Sequence, residues 1–189
     1  MTLEGQGALY LTALRRTRIA VPEGTLLYRA AEEVLEMAVA YQSDGMAFLR
    51  AGDHVNALAG FAYGLGWLDA GSRLGLLLPL AAHPPGGAGV YIPEALAARL
   101  DEKTHRYRRM LQSALPAIEV GPDEASPLFC GAEELRSTAR CWYTDGVNRL
   151  DAGDPAGALA RFSYGYAWLD AGIRAGLFRI TGERGLFTV

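Results

Sequence analysis

The feature that most constrains this chain is an internal repeat with a constant spacing of 101 residues. Residues 44–76 align without a gap on residues 145–177, and 20 of the 33 aligned positions are identical. Upstream the match weakens, although residues 31–33 and 132–134 still read Ala-Glu-Glu in both copies. So dense a match over so many positions indicates a duplication, and it predicts two tandem copies of one structural unit.

Each repeat is predicted to fold as two helices joined by a sharp corner. Gly52 and Gly153 suit the left-handed C-terminal cap of the first helix, and Asp53 and Asp154 suit the N-cap of the second. Pro155 fixes this frame, because proline is tolerated at the first position of a helix and is hostile in its interior. Beyond the corner, apolar side chains recur at helical spacing in two adjacent rows, which predicts a helix buried on more than one side.

Proline and glycine divide the chain. Residues 79–92 are dense in both and are predicted to link a first unit at 1–78 to a second unit at 93–189. We expect the helices at about residues 3–18, 25–50, 53–77, 93–115, 132–151 and 154–176. A polar loop is expected before residue 132, and residues 177–189 are expected to form a short hairpin or a packed tail.

These elements predict an all-α fold in which two up-and-down three-helix units pack as a pseudo-two-fold helical bundle. The second helix of each repeat has too much apolar surface for its hairpin partner alone to cover. Another helix of the same unit, or the matching helix of the other copy, must cover the rest. One chain would then imitate a homodimer, and it need not associate further.

Composition narrows the classes of partner. The chain has 18 Lys and Arg against 21 Asp and Glu, a net charge of −3, so no global field attracts nucleic acid or an anionic membrane. No apolar run reaches the ~20 residues that cross a bilayer, and a cytoplasmic location is expected. Cys130 and Cys141 lack the spacing of a zinc site and are expected to be reduced. No cofactor motif is present, and neither a metal site nor a cofactor is predicted.

The repeat resembles the archaeal family of unknown function DUF357. Its motif reads Tyr-x-x-Asp, Ala-Gly-Asp, Ala-Leu, Phe-x-Tyr-Gly, Trp-Leu-Asp-Ala-Gly and Arg-x-Gly-Leu. The first copy carries it at Tyr41, Asp44, Ala51-Gly52-Asp53, Ala57-Leu58, Phe61, Tyr63-Gly64, Trp67-Leu68-Asp69-Ala70-Gly71 and Arg73. The second copy departs from it at Trp142, where the first has Tyr41. The resemblance implies an archaeal source and a small three-helix bundle, usually one per chain, and it implies no activity.

Two aspartate–tyrosine pairs are candidates for polar contacts inside each unit. Asp44 and Tyr63 lie at similar distances on either side of the corner, as do Asp145 and Tyr164. In antiparallel helices these residues would lie at similar heights, so each aspartate is expected to bond the hydroxyl of its tyrosine. The alternative is a catalytic acid held by a phenol.

Two aspartate–arginine pairs lie further along the same helices. Asp69 and Arg73 are spaced i,i+4, as are Asp170 and Arg174, so each pair is expected to bridge along one helix face. Small residues flank both pairs. The face therefore has two alternative uses: it can receive another helix, or it can seat a carboxylate or phosphate ligand on the arginine.

Function is predicted from these faces. The candidate binding residues are Asp44, Tyr63, Trp67, Asp69, Arg73, Asp145, Tyr164, Trp168, Asp170 and Arg174. We assign no catalytic residue, and we predict a non-enzymatic scaffold that binds a protein or a small molecule. The alternative is a small-molecule sensor or an enzyme with paired pockets at these faces.

The charged segment 99–109 carries a more remote alternative. His105 follows Arg99 by six residues, a spacing found in helical ribonucleases of the HEPN type, but it has no counterpart in the first unit. Lys103 and Arg106 lie in the same segment. The segment is better interpreted as a solvated helix face, which can at most touch an acidic partner.

Overall fold

The computed structural model describes residues 2–87 and 89–188, and within them the chain forms six α-helices and four short strands. The helices are α1 (Leu3–Arg16), α2 (Tyr28–Arg50), α3 (His54–Arg73), α4 (Ala97–Ala114), α5 (Pro127–Asp151) and α6 (Pro155–Arg174). The strands are β1 (Arg18–Ile19), β2 (Leu77–Leu78), β3 (Ile118–Val120) and β4 (Phe178–Ile180). Three 3₁₀ segments complete the order, at Glu94–Leu96, Leu115–Ala117 and Arg184–Leu186.

The predicted corner is present in both copies. Gly52 has φ 75° and Gly153 has φ 77°, the left-handed conformation that glycine adopts at little cost. The Asp53 side chain accepts from the Asn56 N–H at 3.1 Å, and Asp154 accepts from Gly157 N–H at 2.8 Å. The repeat therefore folds as the helical hairpin that its glycine–aspartate pairs predict.

Helices α3 and α6 form the centre of the molecule, and almost every residue of both is buried. Helix α2 packs on α3 and helix α5 packs on α6, while α3 and α6 pack on each other. Their backbones approach so closely that a Cβ added at Gly66 would lie 2.6 Å from the Tyr164 carbonyl oxygen and 2.7 Å from the Ala167 Cβ. The all-α fold of two three-helix units in a pseudo-two-fold bundle is confirmed.

Each unit also contains a small antiparallel sheet that the sequence did not predict. Strand β1 pairs with β2, with Ile19 opposite Leu77, and β3 pairs with β4, with Val120 opposite Phe178. In both units the strand after the first helix meets the strand after the third. Of the two alternatives for the segment after α6, the structure has the packed tail, because β4 pairs with β3 and the chain that follows buries Phe187.

Two helix starts also differ from expectation. Helix α5 begins at Pro127 rather than 132, because Ser126 caps it by accepting from the Leu128 N–H at 3.2 Å. Helix α4 begins at Ala97, after the 3₁₀ segment Glu94–Leu96. The division into units at 1–78 and 93–189 stays a prediction. Within the described ranges, no helix is both long and apolar enough to span a membrane.

Candidate functional site

Two buried aspartates lie between α3 and α6, and each binds a tyrosine of the other unit. The Tyr164 hydroxyl donates to Asp69 Oδ2 at 2.6 Å, and the Tyr63 hydroxyl donates to Asp170 Oδ2. Asp69 is 3% exposed and Asp170 is fully buried. Because the repeat spacing relates one contact to the other, these paired contacts lie across the pseudo-two-fold axis.

The expected bonds within each unit, Asp44 to Tyr63 and Asp145 to Tyr164, are therefore wrong. Asp44 is exposed on α2, and Asp145 instead accepts from Arg161 Nε at 2.7 Å. Both tyrosines reach across the interface because α3 and α6 cross at close range, which places each phenol opposite the aspartate of the other helix.

Each buried aspartate also accepts a hydrogen bond from a backbone N–H of the segment that follows its own helix, α3 or α6. Asp69 Oδ2 accepts from the His83 N–H at 2.5 Å, and Asp69 Oδ1 lies 2.7 Å from His83 Nδ1. Asp170 Oδ1 accepts from the Thr188 N–H at 3.3 Å. The linker and the C-terminal tail thus occupy corresponding places, and they close the two ends of the interface.

Burial controls the ionisation of these groups. It raises the pKa of Asp170 from the ordinary 3.8 to about 7, against the opposing effect of the Tyr63 hydrogen bond. It also raises the pKa of Tyr63 and Tyr164 well above the ordinary value, and their aspartate partners add to that shift. The hydrogen bond to Asp69 raises the pKa of His83. Both phenols are therefore neutral donors at physiological pH.

The two candidate arginines pair between the units rather than along their own helices. Arg73 donates Nε and Nη2 to Glu134 at 2.7 and 2.6 Å, and Arg174 Nη1 donates to Glu33 Oε2 at 3.0 Å. The expected bridges from Arg73 to Asp69 and from Arg174 to Asp170 are wrong, because the aspartates turn into the interface. Both arginines thus tie one unit to the other.

The two candidate tryptophans differ in their surroundings. Trp67 is completely buried in the core, and Trp168 is 7% exposed. Neither indole N–H finds an acceptor among the described residues. Trp168 lines a cavity of about 430 Å³ together with Asp69, Arg73 and Tyr164. We call it the tryptophan cavity.

A second cavity, of about 360 Å³, lies where α2, α3, α4 and the C-terminal tail meet. We call it the tyrosine cavity. Its polar and aromatic lining comprises Tyr41, Asp44, Phe48, Asn56, Tyr63, Lys103, Tyr107, Tyr166, Phe187 and Thr188. Tyr41 packs edge-to-face on Tyr63, with ring centroids 4.5 Å apart. Six of the ten candidate residues therefore border two unlike cavities, and four line neither of them. Those four are Trp67, Asp145, Asp170 and Arg174. Ligand binding by the candidate residues stays a prediction.

Sequence reasoning missed Lys103. The charged segment suggested a solvated side chain, yet Lys103 is buried in the wall of the tyrosine cavity. Its stripe on α4 gave a signal, because Leu100 and Leu111 lie at helical spacing from it and are also buried. The buried face of α4 thus includes residues of the charged segment 99–109, which was predicted to be a solvated helix face.

Arg99 and His105, the two residues with the ribonuclease-like spacing, contact two different carboxylates. Arg99 Nη2 donates to Asp53 Oδ2 at 2.7 Å, whereas His105 Nε2 lies 3.5 Å from Asp101 on its own helix. His105 is partly buried, and Arg99 is held at the N-cap of α3. Each side chain has a carboxylate partner of its own, and nothing in this geometry points to RNA cleavage.

Comparison with known families places the chain. A model of the family "Protein of unknown function (DUF357)" matches residues 8–77 and 106–178, which together make up most of the sequence. Neither the curated proteins nor the solved structures gave a match. The two matched segments contain the two helical hairpins, most of α1 and half of α4. The chain therefore belongs to the DUF357 family and carries two copies of the family's unit.

Proposed function

We propose that this protein is a non-enzymatic binding protein that holds a small molecule in its tyrosine cavity. The observation that carries the proposal is the lining of that cavity, in which Tyr41, Tyr63, Tyr107 and Tyr166 surround about 360 Å³. Phenol rings supply apolar contact area for a ligand. The hydroxyls of Tyr63 and Tyr166 already donate to Asp170 and to the Leu186 carbonyl, so these two residues offer their rings alone. In this proposal the fused units imitate a homodimer whose interface forms the rigid frame of the cavity.

The contacts of the two buried carboxylates support binding rather than catalysis. A general acid or base must reach the substrate, whereas Asp69 and Asp170 are covered by the tyrosines of the other unit and by backbone N–H groups. Their contacts instead hold α3 against α6. We therefore assign Tyr63 and Tyr164 a positioning role in the interface and leave the ligand to the open part of the cavity.

A thermal-shift assay with single-ring aromatic compounds, beginning with phenol, tests this proposal. We expect a saturable rise in Tm for the wild-type protein, because a ligand at about 100 times its Kd stabilises the folded state by about 2.7 kcal/mol. Tyr41→Ala should abolish that rise, since it removes one wall of the cavity.

Trp142→Ala is the matched control for Tyr41→Ala. Trp142 is the repeat counterpart of Tyr41, and it packs edge-to-face on Tyr164 with ring centroids 4.9 Å apart. The Trp142→Ala variant therefore loses a similar aromatic pair, but Trp142 does not line the tyrosine cavity. A rise in Tm that survives Tyr41→Ala, or that disappears equally in both variants, would argue against this cavity as the binding site.

A protein-binding scaffold is the second candidate, favoured by exposed leucines on the pseudo-two-fold axis. Leu27 and Leu128 occupy equivalent positions in the two units and are 52% and 60% exposed. They border a groove of about 330 Å³ that also contains Leu76 and Leu177. Apolar grooves with charged rims are typical of interaction sites. Here Leu27→Ser combined with Leu128→Ser should release a partner that the Tyr41→Ala protein still binds.

A further inference from the structure

The tyrosine cavity contains the only lysine of the chain. Of the 18 Lys and Arg residues in the sequence, 17 are arginine and one is Lys103. Lys103 is 8% exposed. An amine so deeply buried is unusual, because lysine is almost never buried unless it is paired.

The ammonium group of Lys103 contacts an amide and an aromatic ring rather than a carboxylate. Its Nζ donates to Asn56 Oδ1 and lies 5.1 Å from the centroid of the Tyr107 ring. Within residues 2–87 and 89–188, none of the ion pairs shorter than 4.0 Å includes Lys103. The nearby carboxylate of Asp53 is already engaged by Asn56 at 2.6 Å and by Arg99 at 2.7 Å.

The presence of lysine rather than arginine at position 103 distinguishes binding of an anion from reaction with a carbonyl group. Arginine is the better side chain for pairing with a carboxylate or phosphate, because its planar guanidinium binds such groups in a bidentate fashion and always stays charged. Lysine can lose its proton, and the neutral amine is a nucleophile. A chain that uses arginine at every other basic position therefore retains, in this cavity, the one basic residue that can react with a carbonyl group.

The electrostatics point in the same direction. Burial lowers the pKa of Lys103, and the positive charges of Arg106 and Arg99 lower it further, while Asp53 and Glu102 oppose that shift. Desolvation and neighbouring cations are the two means by which proteins activate a lysine as a nucleophile. More of the amine is neutral near physiological pH than in an exposed lysine.

We propose that Lys103 Nζ binds a small aldehyde or ketone as a Schiff base inside the tyrosine cavity. This inference rests on the proposed function and names its ligand class. The neutral amine attacks the carbonyl carbon, a C–N bond forms, and the carbonyl oxygen takes up a proton. That first proton comes from the nitrogen, which gives a carbinolamine. The nitrogen then passes its second proton to the hydroxyl group, the C–O bond breaks and water leaves, so that one amine and one carbonyl compound give one imine and one water. The phenol rings of Tyr41 and Tyr107 would pack on the body of the ligand.

Reductive trapping tests this inference on the full chain. The protein is incubated at neutral pH with salicylaldehyde and sodium cyanoborohydride, and peptide mass spectrometry locates the reduced adduct. We expect the adduct on Lys103, since the sequence offers no other lysine. The chain's own α-amine reacts with the same reagent and provides an internal reference.

The matched control combines Lys103→Arg with Arg109→Lys. Arg109 is an exposed residue of the same helix, so this variant keeps one lysine and 17 arginines but places the lysine in solvent. We expect Lys103 in the wild-type protein to be trapped several-fold faster than the exposed lysine, because its lowered pKa leaves more neutral amine and the cavity holds the aldehyde beside it. If the variant does not fold, Lys103→Met combined with Arg109→Lys replaces it.

Equal trapping rates for the buried and the exposed lysine, or no adduct on Lys103, would overturn the inference. The thermal shift with phenol, which has no carbonyl group, separates the two proposals. If phenol binds in a Tyr41-dependent manner and Lys103 is not trapped, the cavity binds ligands and the Schiff base is wrong. If phenol does not bind and Lys103 is not trapped, both proposals fail.

Discussion

Gly66→Ala should destabilise the protein by about 1–3 kcal/mol, although alanine is the better helix former. The added methyl group would lie 2.6 Å from the Tyr164 carbonyl oxygen, and that oxygen belongs to the backbone of α6 and cannot rotate away. The two central helices would have to separate, which would also lengthen the contact between Tyr164 and Asp69. Urea unfolding followed by circular dichroism measures the loss.

Gly60→Ala is the control for this prediction, because it makes the same change on the same helix. A Cβ at Gly60 would meet its nearest neighbour, the Gly45 Cα, at 3.6 Å, an ordinary van der Waals contact. This variant should therefore gain up to about 1 kcal/mol from helix propensity. If both variants gained stability, the close crossing of α3 and α6 would be incorrect.

Asp170→Asn should flatten the pH dependence of stability. The folded pKa of Asp170, about 7, lies above the ordinary value of 3.8, so the folded state holds a proton that the unfolded state releases. The contribution of this group to stability is complete below the unfolded pKa and is lost as the pH rises through about 7. From about pH 5 to about pH 8 the loss should be about 2–3 kcal/mol in the wild-type protein.

The asparagine variant cannot ionise and should lose most of that dependence. The raised pKa of His83 acts in the same direction and accounts for a smaller remaining slope. Asp151→Asn makes the same change of charge at an exposed position and should leave the wild-type slope in place. Unfolding free energies measured at several pH values decide the question, and an unchanged slope in Asp170→Asn would contradict the assigned ionisation.

Local sequence patterns predicted the helices and the corner because both depend on nearby residues. The cap at Asp53, the glycine before it and the proline at 155 are local signals, and the structure confirms them. Helical spacing also showed that α3 has more than one buried side. It could not show which helix covers the second side, since that depends on contacts between residues about 100 positions apart.

The polar pairs were missed for the same reason. Tyr63 lies 107 positions from Asp170, and no spacing rule connects two helices whose crossing geometry is unknown. Their similar heights on antiparallel helices of one unit instead predicted a bond between Tyr63 and Asp44. Lys103 was missed because nine of the eleven residues 99–109 are charged, histidine or threonine, and this composition hid the helical spacing of the buried positions. Its isolation as the only lysine was visible in the sequence.

The crossing at Gly66 shows what fusion allows. Gly66 lies against Ala167, its own counterpart in the second copy, so the symmetry axis passes between them. In an assembly of two identical chains a residue on the axis meets itself, and both positions must be glycine or both alanine. A single chain can have one of each, and one half can likewise acquire a lysine where the other has Thr2. In a fused chain a substitution can therefore occur in one copy of the repeat without the same substitution in the other.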